Sequence, residues 1–188
     1  MKKTIGFALC GSYCTHKKAL ESLALLVEEY QVVPIVSHEV AKTDTRFGEA
    51  HHLMHELSRL CDRKVISTIP EAEPLGPQKM LDLLVIAPCT GNTLGKLACG
   101  IADTPVTLGA KAHLRNGNPL LIAPSTNDGL AVSAVNIGQL LGRRHVYFVP
   151  FGQDDPVEKP DSLVSDFSRL PLAVKEALEG KQVQPVLI

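Results

Sequence analysis

Leu81–Ala87 (LDLLVIA) constrains the fold more than any other segment. It is short, and apolar on both alternating faces apart from Asp82. A strand of that kind must be covered on both sides, which is the condition of a central strand in a parallel sheet with helices above and below. The rest of the chain reads as the layers this demands. Thr4–Cys10 predicts a first strand that ends at the Gly11-Ser12 turn. Ser12 or Thr15 is expected to cap the next helix, in which Leu20, Leu23, Val27 and Tyr30 share a face. Gln31–Ser37 predicts a second strand, with Pro34 favouring an edge or a strand start. A polar stretch, Lys42–Gly48, leads into a helix ending near Cys61, and Val65–Ser67 reads as a short strand. Pro70–Pro77 reads as a loop rich in Pro and Glu. Leu94–Gly100 and Val106–Leu114 predict helices, with Gly100 as a stop. Pro119–Ala123 predicts a buried strand, Asp128–Leu141 a helix, and His145–Pro150 the last strand. Gln153–Asp161 is a polar loop, and Leu163–Leu178 a helix broken or restarted at Pro171. This order predicts one domain over residues 1–188, of class α/β, with a doubly wound, mostly parallel sheet and helices on both faces.

Composition narrows the function. Nineteen Lys and Arg stand against twenty Asp and Glu, a formal net charge of -1. That balance argues against binding nucleic acid, which needs a cationic surplus facing the phosphates. The chain has no Trp and few aromatics, which disfavours base-stacking platforms. No apolar run approaches the ~20 residues that span a bilayer, and the Lys2-Lys3 start is followed by too short an apolar run for a signal peptide. Five cysteines with no C-x-x-C pair read as thiols packed in a reducing cytoplasm, not as a metal site.

In doubly wound sheets ligands sit beyond the carboxyl ends of the strands. Four segments occupy those ends: Gly11-Ser12-Tyr13-Cys14, Ser37-His38, Pro88–Thr93 and Pro124–Asp128. Small hydroxyl and amide side chains dominate them, and three lead into predicted helices. Each alone is explained by helix capping. Together on one rim they offer N–H and O–H donors to a phosphate. Neither G-x-G-x-x-G nor G-x-x-x-x-G-K-S/T occurs. The residues alone therefore stop at a small anionic ligand of mononucleotide size.

Residues 87–104 (APCTGNTLGKLACGIADT) resemble the central segment of the flavoprotein superfamily, which includes the flavin-containing cysteine decarboxylases. The family pattern there is A-P-x-(S/T)-x-N-T-x-(A/G)-K-x-A-x-G-x-x-D. Gly11-Ser12 resembles its first flavin loop and Pro124–Asn127 its third. The resemblance implies FMN in a cleft lined by these loops. Gly11 and Ser12 would contact the phosphate and ribityl chain, and Ser37 would add a hydroxyl. Thr90, Asn92 and Thr93 would hold the phosphate end and ring edge; Cys89, Gly91 and Ser125 complete the implied cofactor set.

Two departures bear on the reaction. The decarboxylases carry a His shortly before the central strand; here that position falls near Pro74, and no His lies between His55 and His113. Their P-x-M-N-x-x-M-W reads Pro124–Ala131 (PSTNDGLA) here, with both Met and the Trp replaced. The whole-chain pattern is most similar to a branch found in endospore-forming bacteria. Its members act with a separate A subunit that carries NADP, and oxidise dihydrodipicolinate to dipicolinate. That likeness implies a small dicarboxylate substrate and a homo-oligomer, a trimer or a dodecamer built from trimers. The alternatives are an FMN-dependent cysteine-type decarboxylase and a flavin-free assembly subunit.

Asn127 is the catalytic candidate, because its amide offers donor and acceptor at an expected helix start; it is also a candidate for orienting substrate. Arg46, in the loop after the second strand, could clamp a carboxylate bidentately. His51 and His55 share a helix face at a spacing that can hold a metal, but a solvated face explains them as well, and no metal is expected. Cys14 and Cys89 would be nucleophiles only as stabilised thiolates. The Lys96 stem is expected to cover apolar surface.

Overall fold

The computed structural model describes residues 2–188. β1 (Thr4–Leu9), β2 (Gln31–Val36), β3 (Leu83–Cys89), β4 (Leu120–Thr126) and β5 (Val146–Phe148) are parallel, in the order β2-β1-β3-β4-β5. Alternation along β3 explains its composition. Leu83, Val85 and Ala87 enter one core cluster, while Leu84 and Ile86 enter the other. The first cluster lies under α1 (His16–Glu29), α3 (Ala50–Cys61) and α8 (Leu170–Leu178). The second lies under α4 (Ile69–Ala72), α5 (Gly91–Cys99), α6 (Pro105–Arg115) and α7 (Ala134–Leu141). Helices therefore cover both faces, as the two-sided apolar strand requires.

Pro34 sits in the outer strand β2, as expected. Its carbonyl accepts from Ile66 N–H, so the position lacking an N–H faces outward. Val65–Ser67 reduces to that single bridge, Ile35 to Ile66. The buried stripe of α1 is His16, Ala19, Ser22, Leu23 and Leu26; Leu20, Val27 and Tyr30 flank it half-buried.

Four segments depart from the sequence expectation. His38–Lys42 forms a short helix, α2, capped by Ser37. Ile69–Ala72 and Glu73–Leu75 are an α turn and a 3₁₀ turn, not a loop, because Thr68 and Glu71 make a reciprocal capping box with Pro70 in the first turn. α7 begins at Ala134 and not Asp128, since residues 127–133 form turns. Leu163–Ser165 is a strand, β7, and the final helix starts only at Leu170. β7 runs antiparallel to β6 (Phe151–Gly152) and to the end of β4, pairing Ser125 with Val164.

Candidate functional site

β1 and β3 are neighbours, yet their connections leave toward opposite faces: β1 continues into α1 and β3 into α5. In such sheets the carboxyl ends at a switch of direction are the general ligand position. Three of the four strand-end segments meet there. Cys10 N–H donates to the Pro88 carbonyl at 3.2 Å. Gly11 lies so close to the β3 turn that a Cβ on it would meet the Thr90 methyl at 3.3 Å. Ser12 Oγ donates to the Ser125 carbonyl at 2.6 Å. A Cβ on Gly91 would fall 2.6–2.7 Å from Asp128 Oδ1, Thr126 Oγ1 and Ser133 Oγ. The fourth segment is tied in through Ser37 N–H, which donates to the Leu9 carbonyl at 2.9 Å.

The donors are presented by local structure. Ser12 has φ 61°, a left-handed conformation. Neither Ser12 nor Thr15 caps a helix with its side chain. Thr15 Oγ1 instead donates to the Ser12 carbonyl at 2.8 Å, which braces the turn from below. Thr90 does cap α5: its Oγ1 accepts from Thr93 N–H at 3.2 Å and shares a hydrogen with Thr93 Oγ1 at 3.0 Å. Among the described residues the N–H groups of Gly11, Ser12, Tyr13, Gly91 and Asn92 have no acceptor within the chain. Two sets of converging N–H donors, one in a left-handed turn and one at a helix start, fit an anionic phosphate.

The other expected residues differ in burial and in local structure. Cys89 is fully buried in β3, and burial together with the neighbouring Cys10 pushes its thiol well above the ordinary range. Cys10 is likewise pushed up, to about 11, by burial. Both belong to the second core cluster. Three cysteines are buried; Cys14 and Cys99 are exposed. Asn127 is exposed on the rim, but it opens a turn and not a helix. Arg46 is exposed and stacks on Phe47, with the guanidinium 4.8 Å from the ring centre. The rest of its loop (Thr45, Phe47, Gly48) walls a groove of about 730 Å³ between α1 and α3, which opens beside Tyr13. Lys96 closes the central motif, its ammonium 2.9 Å from both Asp103 oxygens. His51 and His52 lie 3.5 and 3.6 Å from Glu49, all three exposed.

Two residues emerge only from the structure. Asp128 Oδ1 accepts from Thr126 Oγ1 and from Ser133 Oγ, which pins the β4–α7 turn against the start of α5. His16 is buried with Nε2 2.8 Å from the Cys10 carbonyl, so Nε2 carries the hydrogen; burial lowers its pKa. Its place one turn past Gly11-Ser12 was the available signal, as was the Thr126-x-Asp128 spacing for the aspartate.

A model of the flavoprotein family matches residues 1–158. The B subunit of dipicolinate synthase from Bacillus subtilis (strain 168) is 42% identical over 187 residues, 99% of this chain and 94% of that protein. The crystal structure of the corresponding B subunit from Bacillus halodurans has a TM-score of 0.90 and 44% identity, covering 99% of this chain and 96% of that one. DmrB from Burkholderia xenovorans, solved in complex with FMN, has a TM-score of 0.70 at 20% identity, with 95% and 96% covered. With those loops meeting on one rim, in a chain this similar along its whole length, one classification follows: the chain belongs to the flavoprotein family, in the group of the dipicolinate synthase B subunits.

Proposed function

We propose that this chain is the B-type subunit of an enzyme that oxidises dihydrodipicolinate to dipicolinate, and that it contributes an FMN site. The observation carrying this is the convergence of three donor-bearing turns on one rim: Ser12 bonded to Ser125, Gly11 against Thr90, and Gly91 against Asp128. FMN, when bound, supplies an acceptor for the two electrons that aromatisation of the ring releases. The Gly11–Tyr13 and Gly91–Asn92 amides would hold the phosphate, with Thr90 and Thr93 fixing the α5 start and Ser37 lining the side. Ser125 serves through its carbonyl, which orders the Ser12 turn. Asn127 would orient substrate at the rim, and Arg46 would pair with a carboxylate of the dicarboxylate.

In this reading NADP belongs to a separate A subunit; the lack of either nucleotide fingerprint in this chain supports that division. A homo-oligomer, trimer or dodecamer, belongs to the same proposal, as does a single domain over residues 1–188, supported by β6 and β7 joining the sheet near the chain's end. The cytoplasm is the proposed location. Five free thiols and the absence of any helix long and apolar enough to cross a membrane among the described residues support it.

The test is a visible absorption spectrum of the purified chain, alone and titrated with FMN, followed by a dipicolinate assay with the A subunit. A yellow chain with a bound-flavin spectrum is expected. A colourless chain that ignores added FMN, yet supports full activity with its partner, refutes the flavin role and leaves the assembly role. Carbon dioxide release from a peptidyl cysteine would favour the decarboxylase.

A further inference from the structure

A second concave surface lies on the opposite edge of the sheet. Arg143, Arg144 and His145 directly precede β5, and α6 ends just ahead of β4, so their side of the molecule is the amino edge. A seven-residue strand separates the two edges by roughly 20 Å. A groove of about 720 Å³ opens there, within the size range of small-molecule sites. Lys111, Arg115, Arg143, Arg144 and His145 line it, opposed by one carboxylate, Glu73. Half-buried Leu108 and Leu114 give it an apolar wall.

In a chain of net charge -1, four permanent cations around one groove are an uneven distribution. Among the described residues none of the four forms a salt bridge. Two are braced: Lys111 Nζ donates to the Gly100 carbonyl at 3.0 Å, and Arg143 Nη1 to the Leu97 carbonyl at 3.2 Å. The Arg115, Arg144 and His145 side chains have no hydrogen-bond partner among the described residues. His145 also holds φ 64°, costly for a residue with a Cβ, and this bend carries the chain from Arg144 into β5.

We propose that this groove binds a nucleoside polyphosphate. Guanidinium forks suit phosphate oxygens bidentately, and the apolar wall suits a base. Phosphates lie against Arg115 and Arg144, with Lys111 and Arg143 supplying field from fixed positions, and the base packs on Leu108 and Leu114. The site is independent of the FMN proposal, being on the other edge.

Isothermal titration of the full-length chain with ATP, with NADP⁺ and with inorganic pyrophosphate tests it, on the wild type and on R115A/R144A. Those two arginines brace no backbone, so the double variant should melt like the wild type and titrate FMN unchanged. Binding of a nucleotide below about 1 mM, weakened at least about tenfold in the double variant, is expected. Three results overturn the proposal: no nucleotide binding up to that concentration, equal binding by the double variant, or pyrophosphate binding as tightly as either nucleotide. If the double variant no longer associates with the A subunit and no nucleotide binds, the groove is a protein-docking surface instead.

Discussion

Gly91→Ala is the sharpest test of how the site is assembled. The added methyl would lie 2.6 Å from Asp128 Oδ1 and Thr126 Oγ1, and 2.7 Å from Ser133 Oγ. All three atoms sit on short side chains already bonded to one another, so none can swing away freely. Overpacking of this kind costs about 1–3 kcal/mol. Each hydroxyl bond to the carboxylate that fails to re-form adds about 1.5–3 kcal/mol. Opposing this, Ala is better than Gly inside a helix by at most about 1 kcal/mol. The net is a loss of about 2 kcal/mol, or about 4–8 °C in Tm for a chain of this size. The β4–α7 turn must also move away from α5, and binding sites tolerate only about 0.5 Å of such drift. Thermal melts and FMN titration measure both effects. Gly138→Ala in α7 is the control, because nothing lies within 4 Å of its Cβ position; it should be neutral or stabilising. If Gly91→Ala is as stable as the wild type and binds flavin equally well, the packing argument is wrong.

Ser12→Ala removes the 2.6 Å bond to the Ser125 carbonyl. It should cost about 1 kcal/mol in urea unfolding and weaken FMN binding more than it lowers stability. Thr90→Ala with Asn92→Ala removes the α5 cap, worth about 1 kcal/mol, and a rim side chain. Unchanged dipicolinate synthesis by that variant with the A subunit would support the flavin-free role. His113 is buried against the Pro119 carbonyl, and burial pushes its pKa down to about 4. The native state keeps it neutral, whereas the unfolded chain takes a proton below about pH 6.5. Its contribution is therefore complete above that pH and is lost as pH falls toward 4, by up to about 3 kcal/mol. His16 acts in the same sense. His113→Gln should flatten the fall in stability between those pH values, and an unaltered slope would contradict the burial argument.

The parallel layers were legible because their signals are local. Leu83–Cys89 and Leu120–Thr126 carry apolar runs, and Gly100 at φ 70° ends α5 as a glycine stop should. The central rim was legible for a related reason, since strand ends in this order must share an edge. The departures have separate causes. Leu163–Ser165 is apolar enough for a helix, and only the projecting end of β4 makes it a strand. Thr68-x-x-Glu71 with Pro70 was a readable helix start, outweighed by the prolines around it. Arg46 is readable as a carboxylate partner from its charge and its loop after the second strand, whereas its stacking on Phe47 is visible only in the structure. Asp128 lies in a readable strand-end segment, but its pinning role depends on Ser133, five residues on.

β4 changes company along its length. Leu120–Ile122 pair with β5, whereas Ser125 and Thr126 pair with β7, and Ser165 Oγ donates to the Pro124 carbonyl at 3.1 Å. The carbonyl that anchors Ser12 is thus carried on backbone clasped by a hairpin some forty residues downstream. The turn between that hairpin's two arms is an adjustable handle. Lengthening or stiffening residues 153–161 would tune the rim from outside, with no change to any residue of the Gly11, Thr90 or Ser125 turns.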